Sequence, residues 1–314
     1  MPVAPPGPAG RALAAGTVWL RGIGQVDLQA NPITGALILV SLWVAGWDIG
    51  LFATIGTVVS TATARVLRVD RANISQGLQG FSGCLTGIAL VTSLGRHPST
   101  YLLAVAGAIL CTLVTAALTT VLAPYELSAL TAPFCVVSGV MVVGAPSFSR
   151  VWHEGNAAAT SPSTGGTGLS WHDVWHAFFS NVAQVFLTDE WYVGLIMLVG
   201  LAFAGWWVLL YAALGSVVGI VVAWALGAPA ALIADGIYGY NAVLAAIAVG
   251  AVFLRRDGWN GAYALFGAAV TTGLTASLTV FFKPFGGHTF TWPFVLTTWV
   301  LMAAVPQLPR FRKA

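Results

Sequence analysis

Hydrophobic and polar positions in this chain do not alternate and do not fall into short amphipathic stretches; they form long charge-free runs divided by brief polar breaks. A helix that crosses a bilayer needs about 20 mostly apolar residues, and in lipid its backbone polar groups must be bonded within the segment. The pattern predicts ten such helices, near 31–47, 49–64, 72–95, 99–123, 127–149, 191–207, 208–226, 236–254, 258–282 and 288–305. Residues 191–234 hold no charge at all, so the break inside them has no polar marker. Two shorter segments precede the first long run of each half, RALAAGTVWLRGIGQV and HDVWHAFFSNVAQV, and each ends in Gln-Val.

The pattern also repeats. LVSLWVAGW at 39–47 and LVGLAFAGW at 198–206 agree at six of nine positions, with an offset of 198 − 39 = 159. GLQGFSGCLTGIAL at 77–90 matches GIYGYNAVLAAIAV at 236–249 at the same offset, and TAPF at 131–134 pairs with TWPF at 291–294 after a drift to 160. Gln25-Val26 meets Gln184-Val185, again 159 apart. Five predicted helices per half is an odd number, so the second copy is expected upside down relative to the first, with the solute pathway between the halves. The expected fold is therefore an all-α integral membrane protein of ten transmembrane helices, built as two inverted five-helix repeats plus two short pore-lining helices.

The expected organisation is a disordered arm over 1–16, a first repeat over 17–149, a linker over 150–172, a second repeat over 173–309 and a basic tail over 310–314. Composition agrees with a bilayer: 58% of residues are hydrophobic and 7% charged, where soluble proteins carry about 25% charge. Threading the ten helices with the N-terminus in the cytoplasm puts ten of the 13 Lys and Arg residues on that side, as the positive-inside rule asks. Both termini are then cytoplasmic and the Ser/Gly/Thr-rich linker lies outside. The three cysteines fall in predicted helices as small packing residues rather than a disulfide framework. His172 and His176 in WHDVWH share one helix face, yet nothing in the sequence converges on them to complete a metal site.

The duplicated polar residues are the candidates for contact with a solute. A short helix ending at Gln25 or Gln184 leaves its last carbonyls without helical partners, a row of acceptors suited to N–H donors. Thr131 and Thr291 add a hydroxyl each, with the following x-Pro expected to free upstream carbonyls. Phe81 and Tyr240 offer flat walls, with Leu85 and Leu244 one turn further along. Aromatic walls, hydroxyls and carbonyls describe a slot for a small, flat, neutral, polar molecule. The glycines of Gly83-x-x-x-Gly87 and Gly215-x-x-x-Gly219 read as close helix-packing positions. Every acid maps to a helix end, a loop or the linker, which favours a channel over a coupled pump. No phosphate loop, nucleophile elbow or HExxH appears, so an enzyme is not indicated.

These residues resemble the urea transporter family. NPITG at 31–35 matches its NPxxG mark, GLQGFSGCLTG at 77–87 resembles its glycine-aromatic-Asn-Gly-x-Leu stretch, and LSALTAPF at 127–134 resembles LPxxTxPF, with Ser128 for proline. The resemblance covers about 17–305. It implies a channel-like protein that passes urea down its gradient as a homotrimer in a plasma membrane, here expected to be a bacterial inner membrane. It assigns Gln25, Val26, Gln184 and Val185 to the outer sites, Phe81, Leu85, Tyr240 and Leu244 to the walls, and Thr131 and Thr291 to the narrow middle. The second copy departs from the pattern with EWYVG at 190–194 and with Ala242 and Ala246 for glycine; the first has Ser82 for asparagine and Leu28 for an aromatic. Two alternatives stay open: a proton- or sodium-coupled transporter of a small polar solute, and a channel for short amides, ammonia or water. No cofactor, metal or nucleic-acid partner is expected.

Overall fold

The computed structural model describes residues 8–153 and 166–314. Its named elements are all helical. In the first half they are α1 (Pro8–Gly24), α2 (Pro32–Ala45), α3 (Trp47–Val66), α4 (Arg71–Ser75), α5 (Phe81–Leu94), α6 (Pro98–Leu122) and α7 (Ala132–Gly144). The second half repeats that order with α8 (Trp171–Ala183), α9 (Trp191–Ala204), α10 (Trp206–Ala225), α11 (Ala230–Ala234), α12 (Tyr240–Ala246), α13 (Gly258–Phe282) and α14 (Trp292–Ala304). After α12 the chain continues as a π-helix over Ile247–Phe253, where the first half keeps α-helix.

Ten full crossings are not found by length. Among the described residues four helices are long and apolar enough, Trp47–Val66, Pro98–Tyr125, Trp206–Ala225 and Gly258–Phe285, and two bent pairs raise the number to six. The remaining apolar runs fold as shorter helices, Phe81–Leu94, Ala132–Ser147 and Tyr240–Phe253. The 14 residues of α5 extend about 21 Å at 1.5 Å per residue, short of an apolar layer of about 30 Å. Nearly every residue of α5 is buried in protein, and hydropathy cannot separate protein core from lipid contact. The arm expected over 1–16 is shortened as well: helix begins at Pro8, and residues 1–7 lie outside the described residues. Most of the expected linker, 154–165, lies outside them too.

The bent pairs show why the chain breaks where it does. Gly16–Asp27 meets Pro32–Ala45 at 78°, and Trp171–Phe186 meets Trp191–Ala204 at 76°. In both, the second helix crosses the backbone of the first at a glycine. A Cβ on Gly35 would lie 1.8 Å from the Leu20 carbonyl oxygen, and one on Gly194 1.9 Å from that of Phe179. The expected close approaches at Gly83, Gly87, Gly215 and Gly219 are also present, with a Cβ on Gly83 falling 2.4 Å from the Gly56 oxygen and one on Gly87 2.2 Å from the Phe52 oxygen.

NPITG owes its residues to this corner. Asn31 caps α2 by accepting from the Ile33 and Thr34 amides at 2.8 and 3.3 Å, and Pro32 opens the helix where no donor is needed. The Asn31 amide donates to the Phe203 carbonyl at 2.9 Å, and the Thr34 hydroxyl to the Gly200 carbonyl at 2.7 Å. Those bonds tie α2 to α9, its counterpart in the other half. Trp299 Nε1, on α14, makes a second tie by donating to the Ser128 carbonyl at 2.8 Å. The C-terminal tail returns to the body: Arg255 N–H donates to the Arg312 carbonyl and Ala314 N–H to Phe253, both at 2.9 Å. Lys313 pairs with Glu126 there and holds that carboxyl below the usual carboxylate range.

Gly194→Ala is expected to lower the thermal unfolding midpoint in detergent by an amount matching about 1–3 kcal/mol, the cost of overpacking. Gly139→Ala, at a site with no atom within 4 Å of the new Cβ, is the control and should leave the midpoint unchanged.

Candidate solute site

Each broken helix ends in the same way. After α1, Gln25–Asp27 form a 3-10 turn closed by Leu28 at φ 62°; after α8, Gln184–Phe186 form one closed by Leu187 at φ 60°. Left-handed backbone is costly for leucine, and its presence twice marks a turn held by its surroundings. The glutamine side chains supply part of that hold. Gln25 Nε2 donates to the Gln76 carbonyl at 2.9 Å, and Gln184 Nε2 to the Asp235 carbonyl at 3.0 Å. Both acceptors directly precede glycines with positive φ, Gly77 at 81° and Gly236 at 79°. A Cβ on either would strike the backbone of α1 or α8, at 2.5 Å from Arg21 and 2.6 Å from Ser180, so the glycine lets the carbonyl reach the glutamine.

The candidate wall residues are all interior. Val26, Phe81, Leu85, Val185, Tyr240 and Leu244 share one buried hydrophobic cluster. Thr131 and Thr291 are buried at the starts of α7 and α14, and their hydroxyls meet at 2.6 Å. Neither hydroxyl caps its helix. The prolines that follow, Pro133 and Pro293, sit in the first helical turn, where they start the helix and free no carbonyl within it, contrary to the sequence expectation. Leu130 and Phe290, just before the threonines, again take left-handed backbone, at φ 49° and 43°.

Tyr240 does more than form a wall, because its hydroxyl donates to the Phe290 carbonyl. Asn241 next to it donates from Nδ2 to Thr275 Oγ1 at 3.2 Å and to the Phe290 carbonyl at 3.4 Å, and its Oδ1 accepts from the Phe294 amide at 3.3 Å. In the first copy these positions are Phe81 and Ser82, and the Ser82 hydroxyl has no partner among the described residues.

A cavity of about 230 Å³ opens at the Gln184 end. Gln184 and Tyr240 line it, but most of its polar groups were not singled out in the sequence: Thr92, Ser93, Thr275, Thr279, Lys283, Thr289 and His288. They come from the end of α5, from α13 and from the loop before α14, and no spacing along the chain signals that convergence. Gln25 does not border this cavity.

One acid also escaped the sequence reading. Asp27 follows Val26 in the break between α1 and α2, is fully buried, and has no partner for either carboxylate oxygen among the described residues. His172 and His176 stack at 4.3 Å beside Trp175, and no group of three or more potential ligands able to hold a metal occurs among the described residues.

The two threonine hydroxyls are brought together, the candidate aromatic and aliphatic residues share one buried cluster, and each half holds a glutamine amide against a backbone carbonyl. The family model for urea transporters matches residues 17–306. The chain belongs to the urea transporter family. Among curated relatives, the urea transporter 1 of Ovis aries is 32% identical over 302 residues, covering 94% of this chain and 78% of its own length. That of Capra hircus matches to the same extent, and that of Mus musculus is 30% identical over 295 residues, covering 92% and 77%. Members of a urea transporter family move a solute and carry out no reaction on it, and the apolar helices make this one a multi-pass membrane protein.

Gln184→Leu and Gln25→Leu each remove a side-chain donor from a carbonyl and an acceptor from the slot end. Each is expected to reduce urea permeability per folded protein by about threefold to tenfold in stopped-flow assays, in line with the loss of one or two hydrogen bonds, while yield of monodisperse protein falls less.

Proposed function

We propose that this chain conducts urea passively through a narrow slot between its two halves. The observation that carries the proposal is the buried Thr131–Thr291 hydroxyl contact, in a chain where Phe81, Leu85, Tyr240 and Leu244 are buried in one cluster. Urea is planar, neutral and rich in N–H. It enters past Gln184 or Gln25, whose amide nitrogens are occupied by backbone carbonyls, so Oε1 faces the solute as an acceptor. In the middle it hydrogen-bonds to the threonine pair. Ions lack a counter-charge in such a slot and are turned back by desolvation. Val26 and Val185 supply backbone oxygens beside the two glutamines.

The arrangement we propose is an inverted pair of repeats threading a bacterial inner membrane ten times, counting the short and bent helices, with both termini in the cytoplasm and three copies per assembly. The constant offset of about 159 supports the repeat: it relates Gln25 to Gln184, Leu28 to Leu187, Gly35 to Gly194 and Gly77 to Gly236. Contact of α2 with α9 and of α7 with α14 supports it too, because a two-fold axis brings equivalent elements together.

Asp27 favours a second reading, transport coupled to protons or sodium, since unpaired acids at membrane depth commonly serve such coupling. Stopped-flow uptake in proteoliposomes separates the two. The passive reading expects urea permeability well above that of empty vesicles, unchanged when ionophores collapse proton and sodium gradients. Loss of uptake with ionophores selects coupling, and faster passage of formamide or acetamide than of urea reassigns the solute.

A further inference from the structure

The central hydroxyl pair has a third member. Thr291 Oγ1 lies 2.6 Å from Thr131 Oγ1 and 3.2 Å from Cys135 Sγ. Cys135 is one turn along α7 from Thr131 and fully enclosed by protein. The position 160 residues later, 295 − 135 = 160, is Val295, which carries no hydrogen-bonding group. The pseudo-symmetric pair of threonines therefore has a thiol on one side only.

A chain of three groups that each hold one hydrogen and also accept one can run in two directions. In the first, the thiol donates to Thr291, Thr291 donates to Thr131, and the Thr131 O–H is left to meet a solute carbonyl. In the second, Thr131 donates to Thr291 and Thr291 donates to the sulfur, so both hydroxyls turn lone pairs toward solute N–H groups. Two hydroxyls reach that second state only when a third group accepts the last hydrogen, and the Cys135 sulfur beside Thr291 can do so. Sulfur is a weak donor and a weak acceptor, so neither direction is locked.

We propose that Cys135 is a positioning residue for the central site: its thiol is the reversible end of a Thr131–Thr291–Cys135 chain that lets the hydroxyls change from donor to acceptor as a solute passes. A molecule bearing both a carbonyl and N–H groups, such as urea, needs both faces in turn. The inference rests on the passive-slot reading above and assigns Cys135 no direct contact with the solute.

The test compares wild type with Cys135→Val, Cys135→Ala and Cys135→Ser in proteoliposomes, with urea permeability scaled to folded protein. Valine fills the site as Val295 does in the other half but ends the chain; serine keeps it. The expected result is a loss of about twofold to tenfold for valine and alanine, the worth of one hydrogen bond, and permeability within about twofold of wild type for serine. Alanine carries the same expectation if valine lowers folded yield. Valine or alanine conducting at the wild-type rate, or serine as slow as both, overturns the inference while leaving the transport reading in place. Wild-type permeability equal to that of empty vesicles overturns the transport reading and this inference with it.

Discussion

Two helices stop within a mostly apolar body, α1 at Gly24 and α8 at Ala183, and each must settle the polar groups of its last turn. Buried backbone groups left unpaired are expensive, and the solution is the same in both halves. A 3-10 turn shortens the end, a left-handed leucine closes it, and a glutamine amide spans to a carbonyl that a positive-φ glycine allows to come near. The amide hydrogen bonds join each break to the C-terminal carbonyl of the neighbouring short helix, α4 or α11, and fix the glutamine in place. One set of residues closes each break, and the glutamines proposed to meet the solute belong to it.

Around this shared frame the halves differ in chemistry. NPITG caps α2 and ties it to α9 through Asn31 and Thr34, whereas Glu190 at the matching place caps α9 with no side-chain bond. Tyr240 and Asn241 fasten the Phe290 carbonyl, and Phe81 and Ser82 have no such hold on their side. The hydroxyl-lined cavity opens at the Gln184 end. A similar backbone with different side chains gives the two halves unlike polar surfaces.

Much of this was legible in the sequence, and the reasons for the rest are physical. The offset of 159 pairs Gln25 with Gln184 and Phe81 with Tyr240 before any coordinates, because a duplicated backbone keeps polar residues where they serve the same contact. Hydropathy does not tell the full-length helices from the short ones, since α5 and α12 are apolar and buried in protein. Asp27 looked like a residue at a helix end in the sequence; the bend that encloses it depends on Gly35 lying against Leu20, a tertiary contact. The partners of the glutamine amides lie 51 residues away in both halves, and a carbonyl has no sequence signature. Thr92, Ser93, Thr275 and His288 meet only once α5, α13 and the loop before α14 are assembled.

Solute is proposed to pass along the Thr131–Thr291 pair. Their hydroxyls lie 2.6 Å apart, so the pair Thr131→Cys and Thr291→Cys places two sulfurs within reach of a disulfide. Urea permeability of that double variant in proteoliposomes, measured oxidised and then reduced, tests the claim directly. The account predicts permeability near that of empty vesicles when the bridge is formed and recovery on reduction. Full conduction with the bridge formed would contradict it.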